Sequence, residues 1–328
     1  MKVGIIILNY RTAQLCADAL ATVVPQARAC EGTQVIVVDN ASPDDSCERL
    51  ADAIESAGWQ DVVQLMPLPN NGGFSAGNNA AIERLLSDPK KFDALWLLNP
   101  DILLRDQAMQ ELVSALTRHP DWGIAGSRLE DPDGTSQRAA RRFPSVWSEL
   151  ESTARTGIVS RVLRSWSIAP EETNEQMNCD WLPGASLLIR REVFDSIGLL
   201  DAGYFMYYEE VDFCRRAKQA GFQVGYVPSS RVIHLVGQAS GVTTQNPPTR
   251  KRRPKYWFDA RSRYFLKHHG AAGLVAADLA WLFGQTIGRL ADVLRRRRGS
   301  DPPWLIVDFL RHMTSRQTWN LSASSVAN

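Results

Sequence analysis

The chain has 328 residues, 44% hydrophobic and 22% charged, enough for one large or two modest globular domains with a sizeable core. Lysine and arginine number 37 against 36 acidic residues, and a formal net charge of +1 excludes nucleic acid as a bulk electrostatic partner. Five cysteines (Cys16, Cys30, Cys47, Cys179 and Cys214) show no CxxC spacing, which excludes a zinc ribbon or a disulfide frame and fits reduced thiols in a cytosolic protein.

In chain order, β-branched runs predict strands over Val3–Leu8, Gln34–Asp39, Val62–Met66, Ala94–Leu98 and Gly123–Ser127. Helical periodicity between them predicts helices over Ala13–Val24, Asp44–Ala57, Phe74–Leu86 and Asp106–Arg118. Short apolar runs separated by helices specify an α/β fold whose mostly parallel sheet is covered on both faces. The chain opens directly on its first strand with no signal-peptide pattern, so the expected setting is inside the cell. Residues Ser136–Cys179 lack a clear period beyond some helix near Val146–Leu163. Arg138, Arg141 and Arg142 precede Phe143-Pro144 and read as a solvated face, with an anionic acceptor or diphosphate as the alternative. Trp181–Ile189 is a turn into a buried strand, Arg191–Ile197 a short helix, and Gly237–Lys255 a polar loop of lid length. The expected division is a nucleotide-binding domain over 1–240, a polar loop over 241–256 and a helical, partly basic tail over 257–328.

Sheets of this kind bind ligands at the carboxyl ends of their strands. Three expected strands end there in polar residues: Asn9 followed by Tyr10, Asp39-Asn40, and Asn99-Pro100-Asp101. A carboxylate at Asp39 can accept the ring N–H of a pyrimidine, or it can cap the following helix. The stretch Asn70-Asn71-Gly72-Gly73-Phe74-Ser75-Ala76-Gly77-Asn78 allows close backbone approach at the start of a helix, though it is not a dinucleotide fingerprint. Asp101 is a hard oxygen ligand suited to Mg²⁺ or Mn²⁺ against a diphosphate. Further on, Tyr204-Phe-Met-Tyr-Tyr208 leads into Glu209-Glu210-Val-Asp212, and a lone His234 ends a later apolar run. A carboxylate among aromatics has a raised pKa and can serve as a general base. A histidine at a strand end can complete a metal site begun elsewhere. Asp212 reads as support for the helix start, and Trp181 and Tyr208 either stack on sugars or pack.

The order strand-Asn-Tyr, Val-Val-Asp-Asn, Asn-Gly-Gly-Phe, Asn-Pro-Asp, Pro-Gly-Ala, Tyr-Tyr-Glu-Glu-Val-Asp and His, spread over about residues 1–240, resembles the family 2 glycosyltransferases, closest to their rhamnosyltransferase-like branch. That resemblance implies a GT-A fold and inverting sugar transfer from a dTDP- or UDP-sugar, with Mg²⁺ or Mn²⁺ as cofactor. The acceptor it implies is a glycan or lipid-linked hydroxyl in cell-surface polysaccharide assembly. It places Asn9, Asp39 and Asn71 at the base and ribose, with Tyr10, Asn40, Gly73, Asn78 and Asn99 along the same donor edge. It makes Asp101 and His234 the metal ligands and Glu210 the base, with Glu209 beside it. Trp181, Gly184 and Tyr208 fall on the acceptor side. The competing readings are a non-catalytic sugar-nucleotide-binding protein and a nucleotidyltransferase, but Asn9-Tyr10-Arg11-Thr12 makes a poor phosphate loop for the latter.

In the tail, the apolar residues of Gly273–Leu294 fall mostly on one face, with Asp278, Gln285, Arg289 and Asp292 on the other. A central Asp costs about 2.5–3.5 kcal/mol on insertion, so the helix is expected to lie on the inner membrane face and not to span it. Arg295–Arg298 would then contact anionic lipid. The alternative is a helix pair packed on the catalytic domain or on a second copy in a homo-oligomer.

Overall fold

The structure, a computed structural model, describes residues 1–89, 91–170, 173–235, 251–296 and 301–315. The expected loop over 241–256 and the basic residues at 297 and 298 fall largely or wholly outside them. Seven consecutive buried residues make the first strand, β1 (Val3–Asn9), as expected of a strand covered on both faces. It lies parallel between β2 (Gln34–Asp39) and the later β4 (Ala94–Leu98), and β3 (Val63–Pro67) extends the sheet beyond β2. Beyond β4 runs β9 (Ser186–Arg190), antiparallel both to β4 and to β6 (Trp122–Glu130). Then β10 (Gln223–His234) pairs parallel with β6, and β5 (Ile102–Leu104) closes the edge antiparallel to β10. The order is β3-β2-β1-β4-β9-β6-β10-β5, and along it only β9 and β5 oppose the common direction among the described residues. Two short strands, β7 (Ser136–Gln137) and β8 (Met177–Cys179), pair antiparallel with β6 and β10. The sheet is therefore mixed in its pairings and mostly parallel in strand direction.

The strand directions decide where chemistry can gather. Since β9 runs against β4, it starts where β4 ends, with Ser186 beside Leu98. Since β10 runs with β6, His234 finishes on that same edge, paired with Ile102 just after Asp101. Asn9, Asp39, Asn99, Asp101, the turn before Ser186 and His234 thus share one rim of the sheet.

The connecting helices are α1 (Ala13–Arg28), α2 (Ser46–Ser56), α3 (Gly73–Leu86) and α4 (Ala108–Arg118). Helix α1 runs past the expected end at Val24, because Pro25 lies inside it without stopping it and burial of Ala27 continues its apolar face. The aperiodic segment folds into α5 (Val146–Ala154), α6 (Gly157–Val162) and a 3₁₀ turn at Arg164–Trp166. A capping box between Ser145 and Ser148 fixes the start of α5. Helices α7 (Arg191–Ile197) and α8 (Glu209–Gln219) flank the loop that leads to the acidic pair. The tail forms α9 (Lys255–Leu294), interrupted at Gly270 (φ 68°, ψ −177°), and α10 (Leu305–Ser315).

The tail does not stand apart. Ala260, Tyr264, Phe265, Leu274 and Ala277 belong to the main core. A Cβ on Gly284 would come within 2.0 Å of Thr153 Oγ1, and one on Gly288 within 2.5 Å of the Thr153 carbonyl, so α9 and α5 meet backbone to backbone. Arg261 is fully buried between them, donating from Nε to Glu149 (2.9 Å) and from Nη1 to Asp278 (2.7 Å). This contact fixes which face of α9 meets the protein. Asp278 and Gln285 face the protein, while Leu279, Phe283, Leu290, Val293 and Leu294 are exposed. A polar stripe turned inward is stable here because an arginine from the same helix meets it. By length and composition alone α9 could cross a membrane, but this buried ionic seam ties it to α5.

Removing Arg261 would strand two buried carboxylates. Arg261→Met is expected to destabilise the protein by about 3–5 kcal/mol, the usual loss when one partner of a buried ionic cluster is deleted. Urea unfolding measures it, and a loss below about 1 kcal/mol would show that this seam does not hold the tail.

Candidate active site

At the donor end of the rim, the polar residues first serve one another. Asn9 Nδ2 donates to Asp39 Oδ1 (2.7 Å), and Asn9 Oδ1 accepts from the backbone and hydroxyl of Thr12. Asp39 also accepts from Ser42 N (3.0 Å) and Ser42 Oγ (2.7 Å), so its carboxylate closes the turn at 39–42. It does not cap α2, which begins at Ser46. Asn40 Nδ2 donates to Asn71 Oδ1 (3.0 Å) and to the Gly73 carbonyl (3.1 Å), joining two strand ends. Asn78 donates to Phe74 O within its own helix. Asn99 N donates to Ala185 O at 3.2 Å, which draws the Pro-Gly-Ala turn against the end of β4. Tyr10 is 40% exposed, so its ring is open to a ligand at this end.

The paired glycines have a partner of their own. Gly73 sits at φ +86°, and a Cβ there would lie 2.2 Å from the Phe205 carbonyl. That carbonyl accepts from Phe74 N at 2.6 Å. The close approach at this turn is made by the loop that carries the acidic pair. On that loop Tyr207 and Tyr208 both hold positive φ (74° and 68°), a strained pair of non-glycine residues of the kind found at functional sites. Tyr208 is the N-cap residue of α8, and Glu209 and Glu210 open the helix.

Gly184 lies across from them: a Cβ there would be 3.5 Å from the Phe74 ring and 3.9 Å from Glu210 Cβ. Trp181 is buried, donates from Nε1 to Arg142 O (2.8 Å) and carries the Arg141 guanidinium 5.3 Å over its ring. Its π-face is therefore already engaged. Tyr208 packs its ring on Tyr264 at 5.4 Å. One oxygen of each glutamate, Oε2, is buried with no hydrogen-bond partner among the described residues. Burial and the Glu210 charge push Glu209 well up. Burial also raises Glu210, to about 7, against bonds from backbone N–H groups and the charge of Arg141, which pull it down. Asp212, two residues on, goes the other way. Burial would raise it, but His268 (2.7 Å), Arg216 (2.8 Å) and Lys267 (2.8 Å) hold it far below the usual carboxylate range.

On the far side of the rim, the β5–β10 pairing brings His234 Nε2 to 3.6 Å from Asp101 Oδ1. His234 Nδ1 lies 3.3 Å from Gln137 Oε1, and Gln137 Nε2 donates back to His234 O at 2.9 Å. With Nδ1–H given to Gln137, the Nε2 lone pair is turned towards Asp101, as a metal-ligating imidazole requires. One carboxylate and one oriented imidazole fit a divalent ion whose other ligands are phosphate oxygens and water. No group of three or more His, Cys, Asp or Glu that could hold an ion occurs among the described residues, so the donor diphosphate would have to complete the site.

The fold is that of the GT-A glycosyltransferases. The chain is similar over 97% of its length, at TM-score 0.56 and 15% identity, to the mannosyltransferase PcManGT from Pyrobaculum calidifontis, solved in complex with GDP-Man and Mn²⁺, of which it covers 81%. Residues 2–265 match the family described as Glycosyltransferase like family 2, and the chain belongs to that family of inverting glycosyltransferases. It is 29% identical over 221 residues to the N-acetylglucosaminyl-diphospho-decaprenol L-rhamnosyltransferase of Mycobacterium tuberculosis, covering 63% of this chain and 68% of that one. It is 27% identical over 165 residues to the rhamnosyltransferase WbbL of Escherichia coli, covering 49% and 60%.

One residue of this site, Gln137, was not singled out in the sequence, and another, Arg141, was named there but weighed towards a solvated face. Gln137 lies in an aperiodic segment, and only the pairing of β7 with β6 brings it to His234. Arg141 reads as solvated, yet it lies on Trp181 and acts on Glu210; its spacing of three from Arg138 carries no hint of that.

The acidic pair sets a pH signature. Folding raises Glu210 from 4.5 to about 7, so its neutral form favours the fold at low pH and that contribution is lost as pH rises through the folded value. Glu210→Gln is therefore expected to be more stable than the parent at about pH 8, by roughly 1–3 kcal/mol, and nearly equal to it at about pH 5. Thermal unfolding at the two pH values reads this directly, and an equal effect at both would mean that the carboxylate is not strained by burial.

Proposed function

We propose that the protein transfers rhamnose from a dTDP- or UDP-activated donor to a hydroxyl of a lipid-linked glycan, at the inner face of the membrane. The observation that carries the reading is the raised carboxyl of Glu210, whose Oε2 is buried with no hydrogen-bond partner among the described residues, beside Gly184 of the turn that shares a rim with Asp101 and His234. The names of the relatives from Mycobacterium tuberculosis and Escherichia coli support rhamnose and, in the first, a diphospholipid acceptor. The donor's base and ribose would lie against Asn9, Tyr10, Asp39, Asn40 and Asn71, with Gly73, Asn78 and Asn99 shaping the same edge. Trp181, Gly184 and Tyr208 would shape the acceptor side.

Glu210 takes the proton from the acceptor hydroxyl as that oxygen attacks the anomeric carbon. The bond to the diphosphate breaks on the opposite side of the ring, so configuration inverts in a single displacement. A pKa near neutrality suits a base that must lose its proton before each turnover and hold one after it. Arg141 favours the ionised form of Glu210, and Gln137 keeps His234 oriented. A divalent ion held by Asp101 and His234 would supply Lewis-acid stabilisation of the departing diphosphate.

Glu210→Gln is expected to leave donor binding nearly intact and to lower turnover by about 10²–10⁴-fold. In the parent, kcat/KM should rise with pH through about 7 as Glu210 ionises, and this limb should vanish in the variant. Asp101→Asn and His234→Ala should each abolish the rescue of chelated enzyme by Mn²⁺. Full turnover in excess chelator would end the metal assignment.

Membrane attachment is supported by the exposed stripe Leu279, Phe283, Leu290, Val293 and Leu294, which runs to Arg295 and Arg296. Replacing Leu279, Phe283 and Leu290 by Ser is expected to abolish flotation with anionic liposomes. Flotation of the parent should weaken as salt rises, since only the charge contribution is screened. Equal flotation of parent and variant would refute this placement.

A further inference from the structure

Beside the Arg141–Trp181 bridge lies a cavity of about 530 Å³. Successive side chains of an extended segment point to opposite faces. Arg141 and Trp181 accordingly turn towards the acidic pair, and their neighbours Arg142 and Asp180 line the cavity. Arg215 and Lys218 reach it from the last turns of α8, and His269 from α9 beside the break at Gly270.

Its charge is unbalanced. Arg142, Arg215 and Lys218 are permanent cations, and Asp180 is the only acid lining the cavity among the described residues. Asp180 is already engaged, accepting from Lys218 Nζ (2.8 Å) and from Phe143 N (3.0 Å). Burial and the Arg215 charge push His269 down, so the positive charge of the cavity rests with the arginines and the lysine. Arg215 and Lys218 both lie against one ring, that of Phe143, at 5.5 and 5.8 Å. Two like charges gathered at one ring repel each other, and an anion between them relieves that repulsion.

The two guanidiniums are also held in place. Arg142 Nη1 donates to the carbonyls of Ser167 (3.2 Å) and Arg164 (3.4 Å), and Arg215 Nη1 to the Tyr264 hydroxyl (2.7 Å), with His269 Nε2 at 2.9 Å. Each guanidinium has five N–H donors, and these fixing bonds all leave from Nη1. A fixed pair of guanidiniums with an ammonium matches the tetrahedral oxygens of a phosphate, which arginine binds in bidentate fashion.

We propose that this cavity is a binding site for a phosphate group, separate from the donor site. Two sources carry such a phosphate, a lipid headgroup and a free phosphate in solution, and the surroundings favour the first. Trp166 forms part of the wall and is 46% exposed, while Ile158 and Val162 on the adjoining α6 are 79% and 74% exposed. Apolar side chains beside a cationic pocket suit a headgroup whose acyl chains continue outward.

The test uses the full chain in chelator, which suppresses diphosphate binding at Asp101 and His234. Inorganic pyrophosphate is titrated calorimetrically, and phosphatidylcholine vesicles with and without phosphatidic acid are used in flotation. Two variants are compared with the parent: Arg142→Gln combined with Lys218→Gln, and Ser165→Glu, which adds an acid at an exposed wall position without disturbing the core. Unchanged melting temperatures establish that both fold. Binding is expected to weaken by about tenfold or more in each, the worth of one charge-assisted hydrogen bond. Loss in the vesicle arm identifies a lipid phosphate; loss in the pyrophosphate arm alone identifies a soluble one. If parent and variants behave alike in both arms, the proposal is overturned. It is equally overturned if Asp101→Asn removes pyrophosphate binding while Ser165→Glu does not, because the anion would then occupy the donor site.

Discussion

A buried carboxylate held by an arginine, a lysine and a histidine keeps the site together. Asp212 has no exposure, yet it stays ionised because Arg216, Lys267 and His268 all reach it. The same residues bind outward. Arg216 also donates to the carbonyls of Ile197 and Leu199, and Lys267 shares Asp201 with Arg263. One carboxylate thereby fastens the first turn of α8, the loop before it and the first half of α9. Such a cluster adds little net stability over an apolar core, but it leaves few other arrangements open. The strain of Tyr207 and Tyr208 at positive φ can persist because the segments on both sides are fixed.

The contrast within four residues of α8 is instructive. Glu209 and Glu210 are buried with too few partners, and Asp212 is buried with an excess of them. The same desolvation acts on all three. Partners decide that Asp212 stays an anion while its two neighbours are raised above the usual carboxylate range.

Much of the fold could be read from the sequence, because strands buried on both faces are written as unbroken apolar runs. Gln34–Asp39, Ala94–Leu98 and Arg191–Ile197 have the expected boundaries at both ends. The reversed strand β9 is another matter: Ser-Leu-Leu-Ile reads as buried, but no local pattern reveals its direction. The rim residues were found because polar groups ending apolar strands stand out. What they do was harder to see, since Asn9, Asp39 and Asn40 bond chiefly to each other and to nearby turns, a property of three strands at once. The orientation of α9 eluded periodicity for a related reason. Asp278 is buried where Arg261, seventeen residues earlier and across the Gly270 break, turns back to meet it.

The reversal of β9 also bears on how such an enzyme can diversify. Every residue proposed for the donor edge precedes Asp101, whereas Glu210, the proposed base, and the turn at Gly184 come after it. An inserted antiparallel strand returns the later half of the chain to the rim built by the earlier half. Within the stretch between β6 and β9, the segment over α6 and the 3₁₀ turn carries neither Gln137 nor Arg141 nor Glu149, so it can change in length or composition while strand order and register stay fixed. A lineage could exchange one acceptor for another by rewriting that segment, with its activated-sugar chemistry inherited intact.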